Sequence, residues 1–152
     1  MFRLSFLLFA FILVSCDDTI KSNDFYRDFK DNRWAFNHEV KFDVNISEGD
    51  ELWLHFGHIY DYDYNMIPIE LELSKPETNS EKITLIEELK LKNRSGEDAG
   101  DCLGDICDFY QKVNIESLEV GKYHLVLRNK SDLPYLPNVL GIGYQIDFRN
   151  KL

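Results

Sequence analysis

The thiol with the most legible chemistry in this chain is Cys16, in the run Leu13-Val14-Ser15-Cys16. A small residue directly precedes a cysteine at the end of an apolar stretch, as bacterial lipoprotein processing requires. The peptidase cuts before the cysteine, and the thiol and newly freed amino group then carry acyl chains. Arg3 supplies a positive n-region and Leu4 to Val14 (LSFLLFAFILV) a short apolar h-region. That run is too short for a permanent membrane helix, which takes ~20 apolar residues. An ordinary secretory leader that happens to contain a cysteine is the plainer alternative. Agreement of h-region length, small residues and cysteine position favours lipidation at Cys16. Several acyl chains anchor stably, at ~0.8 kcal/mol per buried methylene.

The other two thiols, Cys102 and Cys107, form a pair once Cys16 is acylated. An exported chain meets an oxidising compartment, where such a pair can close. Positions five apart on one strand point to opposite faces, so a disulfide needs a turn between them. Gly104-Asp105 can supply it. A disulfide and two free thiols both stay open.

Oxygen ligands cluster at Asp61-Tyr62-Asp63-Tyr64-Asn65, with Glu72 at the twelfth position of an EF-hand register. Met66 stands where that loop needs glycine, and Ile67 to Leu73 alternates as a strand, so the match fails. Asp61 and Asp63 remain a looser calcium candidate, and the sequence calls for no cofactor. Tyr60, Tyr62 and Tyr64 alternate with carboxylates and would face one side of a strand end. With Tyr135 they form a candidate surface for a partner protein or a sugar; the plainer reading is rings covering a sheet face. His55 and His58, three apart on a strand, point to opposite faces and cannot easily share a metal. The chain has no Gly-x-Ser-x-Gly, no His-Glu-x-x-His and no phosphate-cradling glycine loop. Paired carboxylates for glycoside-type hydrolysis could exist, but only a concave pocket would select them.

These residues need a scaffold, and its period is two. Val40, Phe42, Val44 and Ile46 alternate with polar neighbours, as do Leu52, Leu54 and Phe56, then Ile67, Ile69, Leu71 and Leu73. Residues 81–93 suit a strand, with a helical turn as the alternative. Further strands run over Cys107 to Ile115, Tyr123 to Leu127 and Leu140 to Phe148. Gly141-Ile142-Gly143 inside the last one marks close backbone approach or a bulge. Tyr123, two residues past Gly121, resembles a tyrosine corner. About seven short strands with polar turns predict an all-β antiparallel sandwich, immunoglobulin- or jelly-roll-like. The expected organisation is a leader over 1–15, a lipidated polar tether over 16–23 and one domain over 24–152. Residues 24–37 read as a short helix or irregular arm, with Trp34 plugging a core or edge.

Charge narrows the partners. The 152 residues carry 17 basic and 27 acidic side chains, net −10, and loss of Arg3 with the leader makes this −11. Such a surface repels nucleic acid and anionic headgroups. A membrane is therefore reached through the lipid, not through charge.

Taken in order, these segments resemble the gliding-motility lipoprotein GldH family of Bacteroidetes over about residues 25 to 148. The likeness runs from the lipobox through the aromatic arm with Tyr26 and Trp34, the Val40–Ile46 strand and the turn with Tyr62, Tyr64 and Asn65. It continues through Gly100 to Asp108, with Gly104-Asp105-Ile106, and ends on Leu136-Pro137-Asn138-Val139-Leu140-Gly141-Ile142-Gly143-Tyr144-Gln145-Ile146-Asp147. Asn138, Gly141, Gly57 and Asp63 depart from the family pattern. The resemblance implies a non-enzymatic, lipid-anchored part of the gliding machinery, linked to type IX protein secretion and acting through other envelope proteins. Asp17-Asp18 after the cysteine is similar to signals that send Bacteroidetes lipoproteins to the surface, which favours the outer membrane. The rival expectation is a surface glycan-binding lipoprotein.

Cells fed labelled palmitate should label the wild-type chain and leave Cys16→Ser unlabelled; equal labelling of the two would rule out acylation at this position.

Overall fold

The computed structural model describes residues 20–76 and 82–148; the leader, Cys16 and the residues up to 19 lie outside it. Eleven strands are present among the described residues: β1 (Ile20–Tyr26), β2 (Trp34–Ala35), β3 (Glu39–Ile46), β4 (Asp50–Ile59), β5 (Met66–Ser74), β6 (Ile83–Lys90), β7 (Asp101–Leu103), β8 (Ile106–Val113), β9 (Gly121–Asn129), β10 (Tyr135–Leu136) and β11 (Val139–Phe148). Their alternation explains why they form. In β3 every second residue (Val40, Phe42, Val44, Ile46) is buried and every other one exposed. In β5, Ile67, Ile69, Leu71 and Leu73 are buried in the same way. Such a pattern lets one face of a pleated strand leave water while the other stays solvated.

The strands make two antiparallel sheets, β1-β11-β4-β8-β7 and β3-β9-β5-β6, with a small β10-β2 ribbon beside them. Their inner faces meet in one core. Leu52, Leu54, Phe56, Ile142, Tyr144 and Ile146 from the first sheet pack in a common cluster with the β3, β5 and β9 side chains of the second. Tyr144 ties the layers together: its ring meets Phe42 edge-on at 5.4 Å, and its hydroxyl donates to the Asp43 carbonyl at 3.2 Å. On the outer face of the second sheet, Arg128 sits in register between Glu39 and Glu70. It donates to both, at 2.7 and 2.8 Å, and to Glu72. The Tyr123 hydroxyl donates to the Glu119 carbonyl at 2.7 Å, closing a tyrosine corner.

The all-β sandwich is as the sequence predicts, and each of the seven anticipated strands is present. The strand reading of residues 81–93 holds for Ile83–Lys90. The N-terminal region differs. Residues 20–23, read as polar tether, belong to β1, which pairs antiparallel with β11. An edge strand buries little, so backbone hydrogen bonds define β1 and no apolar period betrays it. The arm over 24–37 is no helix. It contains the end of β1, a single 3-10 turn at Lys30–Asn32 and then β2. Asp31, Asn32 and Asn37 all take left-handed backbone conformations, which break a right-handed helix. Trp34 is the core plug expected of it, fully buried with its indole N–H donating to the His38 carbonyl at 3.2 Å.

Phe25 fastens β1 to the sheet. A Cβ at Gly141 would fall 2.3 Å from the Phe25 ring and 2.6 Å from the Tyr26 carbonyl, and one at Gly57 would fall 2.9 Å from the same ring. The pairing of β11 with β4 shifts register between Val139 and Gly141, so bulge and close approach coincide there. Gly141→Ala should lower stability by roughly 1–3 kcal/mol, as overpacking does. Urea unfolding would show this as a lower midpoint; an unchanged midpoint would mean that β1 is loosely held.

Candidate functional site

Strand β4 carries its alternation past the apolar core. Phe56 is its last large inward hydrophobic, and two residues later the inward position is His58, fully buried. Beyond it the chain enters the 60–65 loop. Three other segments converge on the same end of the sandwich. The Ile59 N–H donates to the Asn138 carbonyl at 3.2 Å, the Tyr60 N–H to the Asp105 carbonyl at 2.9 Å and the Lys92 N–H to the Asn65 carbonyl at 3.3 Å.

The β7–β8 hairpin projects from this end. Its turn is Gly104-Asp105, with Gly104 in the left-handed region that a tight turn demands. Cys102 and Cys107 face each other across the two strands and are joined in a disulfide. Beyond the bridge the tip is apolar: Leu103 is 89% exposed and Ile106 55%. Tyr60, 58% exposed, belongs to the segment hydrogen-bonded to the turn. Periodicity does not single out Leu103 and Ile106 as a surface, because the segment around Gly104-Asp105 has no apolar period. Their signal was two lone aliphatics bracketing a Gly-Asp turn.

The tyrosines do not line up. Tyr62 is buried, packed against Phe56 at 5.9 Å, His58 at 5.1 Å and Tyr64 at 5.4 Å between ring centroids. Burial pushes its phenol well above the ordinary value, so it is neutral. Tyr60 points to solvent, and Tyr64 packs partly against the core. Asp61 adopts a positive φ of 56°, which breaks the extended alternation that would have placed all three on one side. Tyr135 is separately placed on β10, under the Arg33 guanidinium at 4.8 Å. The expected row of stacked rings, and with it the case for a glycan platform, is thereby lost.

The carboxylates are engaged. Asp61 lies 3.2 Å from the Lys92 ammonium, and Glu72 pairs with Lys82 and Arg128. Asp63 is exposed. Among the described residues, the group of three or more His, Cys, Asp or Glu donors close enough to hold one ion includes neither Asp61 nor Asp63. A cleft of about 540 Å³ lies at the opposite end, lined by Ile46, Asp50, Glu51, Lys112, Leu118 and Val120 among others. Its Asp50 is held by Lys21 at 2.5 Å and by the Ser47 N–H at 2.8 Å, and its Glu51 by Lys112 at 2.6 Å.

His55 and His58 face opposite ways, as their spacing implies. His55 lies on the outer face, stacked between Phe25 at 4.1 Å and Tyr110 at 4.3 Å, with Nε2 2.6 Å from the Asp108 carboxylate. Burial pushes its imidazole below the ordinary value against the pull of Asp108. Inward, the His58 Nδ1 stands 2.9 Å from the Ile59 carbonyl, while its Nε2 is buried without a partner. A His58 ring nitrogen, the Cys107 sulfur and an Asp98 carboxylate oxygen lie within 4.8 Å of one another. The Asp98 side chain is 2% exposed and ion-paired with Lys92 at 2.9 Å. Burial alone would raise its carboxyl, but Lys92 and the Asp61 N–H hold it below the usual carboxylate range.

Residues 21–146 match the family model described as GldH lipoprotein. No curated protein matches the chain.

The His55 environment fixes a pH response. Because the folded chain disfavours the imidazolium, the unfolded chain takes up the proton first as pH falls below the ordinary histidine value near 6.5. Stability is full above that value and declines below it, towards the lowered folded value. His55→Phe should flatten this part of the slope, read as a smaller difference between urea midpoints at about pH 7.5 and 5.5. An identical pH profile in the variant would show that His55 is not buried neutral.

Proposed function

The chain belongs to the GldH lipoprotein family, and from that premise we propose that it is a lipid-anchored, non-enzymatic component of the bacterial gliding machinery. It works by position. Acyl chains on Cys16 hold it in the cell envelope, at the outer membrane, and its free end engages other envelope proteins of gliding and type IX secretion.

One geometric observation supports a positional role. Cys16 is four residues from Ile20, so the lipid can stand at most ~14 Å from the start of β1, at ~3.5 Å per residue. Ile20 pairs with Asp147, and Phe148 with Asp50, so this end of the sheet is the anchored end. The far end, where Val139 pairs with His58 and Cys107 in turn with His58, lies a strand length away. That length is about 30 Å for the ten residues of β4 at ~3.3 Å each. The anchor therefore faces the membrane with the Ile20 end and presents the hairpin tip outward. A disulfide-braced hairpin carrying Leu103 and Ile106 is a small, stiff apolar knob. Such a knob suits a hydrophobic pocket on a protein, because little side-chain or backbone freedom is lost on docking.

Two experiments bear on this reading. Deletion of the gene should abolish colony spreading; a strain that spreads normally would remove the motility role. The double substitution Leu103→Asp, Ile106→Asp changes exposed side chains and should leave stability within about 0.5 kcal/mol. It should be lipidated like the wild type yet fail to restore spreading, whereas Ile86→Asp, on the exposed face of β6, should restore it. Full rescue by the double variant would remove the tip as the partner surface.

A further inference from the structure

We propose that the chain carries a redox-gated site for a zinc-class divalent ion. Its donors are His58 Nε2, the Asp98 carboxylate and the thiolate that Cys107 presents when the Cys102–Cys107 disulfide is reduced.

The argument begins with His58. Its imidazole is fully buried at the inner end of β4. Nδ1 sits 2.9 Å from the Ile59 carbonyl, which can only accept, so Nδ1 carries the proton and donates. In that tautomer the lone pair lies on Nε2. A metal-binding histidine is oriented in this manner, with one ring nitrogen donating to a backbone carbonyl and the other free to ligate. Nε2 has no hydrogen-bond partner. A buried lone pair left unpaired is costly, and an ion bound to it would offset that cost.

The neighbours are the right types. Cys107 is fully buried, and its sulfur stands 3.9 Å from Asp98 Oδ2. Among the described residues, this trio forms a group of His, Cys and Asp donors all within 4.8 Å of one another. Nitrogen, oxygen and thiolate sulfur in one place suit zinc, which binds them at ~2.0–2.3 Å in a tetrahedron. Tetrahedral donors at those lengths lie roughly 3.5 Å apart, so the trio must draw in by about 1 Å. The competing cation is Lys92, 2.9 Å from Asp98 Oδ1, but it also lies 3.2 Å from Asp61, to which it can turn. The loops bearing Asp98 and Lys92 lie outside the two sheets, so the rearrangement leaves the core intact.

The redox gate follows from Cys102. While bonded to it, Cys107 offers only a disulfide sulfur, a poor ligand. A dithiol reductant changes this: its two thiols become a disulfide, the Cys102–Cys107 bond takes up two electrons and two protons, and two thiols result. Cys107 then loses its proton to bind the ion through sulfur. A disulfide-type oxidant reverses the sequence, closing Cys102–Cys107 and releasing the ion.

Cobalt(II) is the probe, since thiolate ligation gives it a charge-transfer absorption that zinc then displaces. The full chain is reduced with dithiothreitol, freed of it without air, and titrated. Reduced wild type and Cys102→Ser should each take up one cobalt with the thiolate band; oxidised wild type and Cys107→Ser should not. The two serine variants both lack the disulfide, so they differ only in which thiol remains. His58→Gln should weaken uptake by reduced protein by at least the ~10–100-fold that loss of a supporting group costs. Equal uptake by Cys107→Ser and Cys102→Ser, or no band in folded Cys102→Ser, would overturn the proposal. Should neither serine variant fold, alkylation of reduced wild type decides. Added zinc should slow modification of Cys107 about tenfold or more, and an unchanged rate would overturn it.

Discussion

Apolar contact between two sheet faces is the constraint on which the rest of this molecule depends. β4 and β11 from one sheet and β5 and β9 from the other each turn aliphatic or aromatic residues inward at alternate positions, and these meet in a single buried cluster. Because side chains alternate with period two, that contact also fixes what faces outward. The Arg128 carboxylate ladder, the His55 stack and the exposed edge residues occupy the positions the core leaves over. A one-residue slip of β4 would bury Trp53 and His55 and expel Leu54 and Phe56. Register is therefore set by burial, and the loops inherit their places from it.

The same alternation produces the unusual feature of the loop end. The inward face of β4 does not stop at Phe56 but continues to His58, so a polar ring enters a place prepared for an apolar one. Around it the molecule gathers Tyr62, Asp98 and Cys107 from three separate segments. The tyrosine is forced inward by the left-handed backbone at Asp61. The aspartate is held by Lys92 and the Asp61 N–H, and the cysteine by its position opposite Cys102. The result is a buried polar cluster beside a hairpin whose apolar tip faces solvent, at the end of the domain remote from Ile20.

Position thus joins chemistry to function. The edge strand β1 is clamped by Phe25 over Gly57 and Gly141, so the Ile20 end is fixed to the sheet. A contact made at the hairpin is linked through the paired strands β8, β4, β11 and β1 to the Ile20 end.

The residues by themselves determined the elements whose signal is local. Strict alternation specified β3, β4, β5 and β11. The Gly-Asp turn between Cys102 and Cys107 was legible because only a turn could bring such a spacing together. What the sequence could not determine was anything carried by backbone pairing or by distant segments. β1 has no apolar period because an edge strand needs none. The tyrosine row dissolved because one left-handed residue, Asp61, redirects the chain, and a positive φ at aspartate leaves no composition signal. His58, Asp98 and Cys107 lie far apart along the chain, and only folding places them together: β4, β8 and the loop before β7 converge because the core fixes their register. Local periodicity encodes what a segment hides from water, whereas the meeting of three segments depends on how all the hidden faces close.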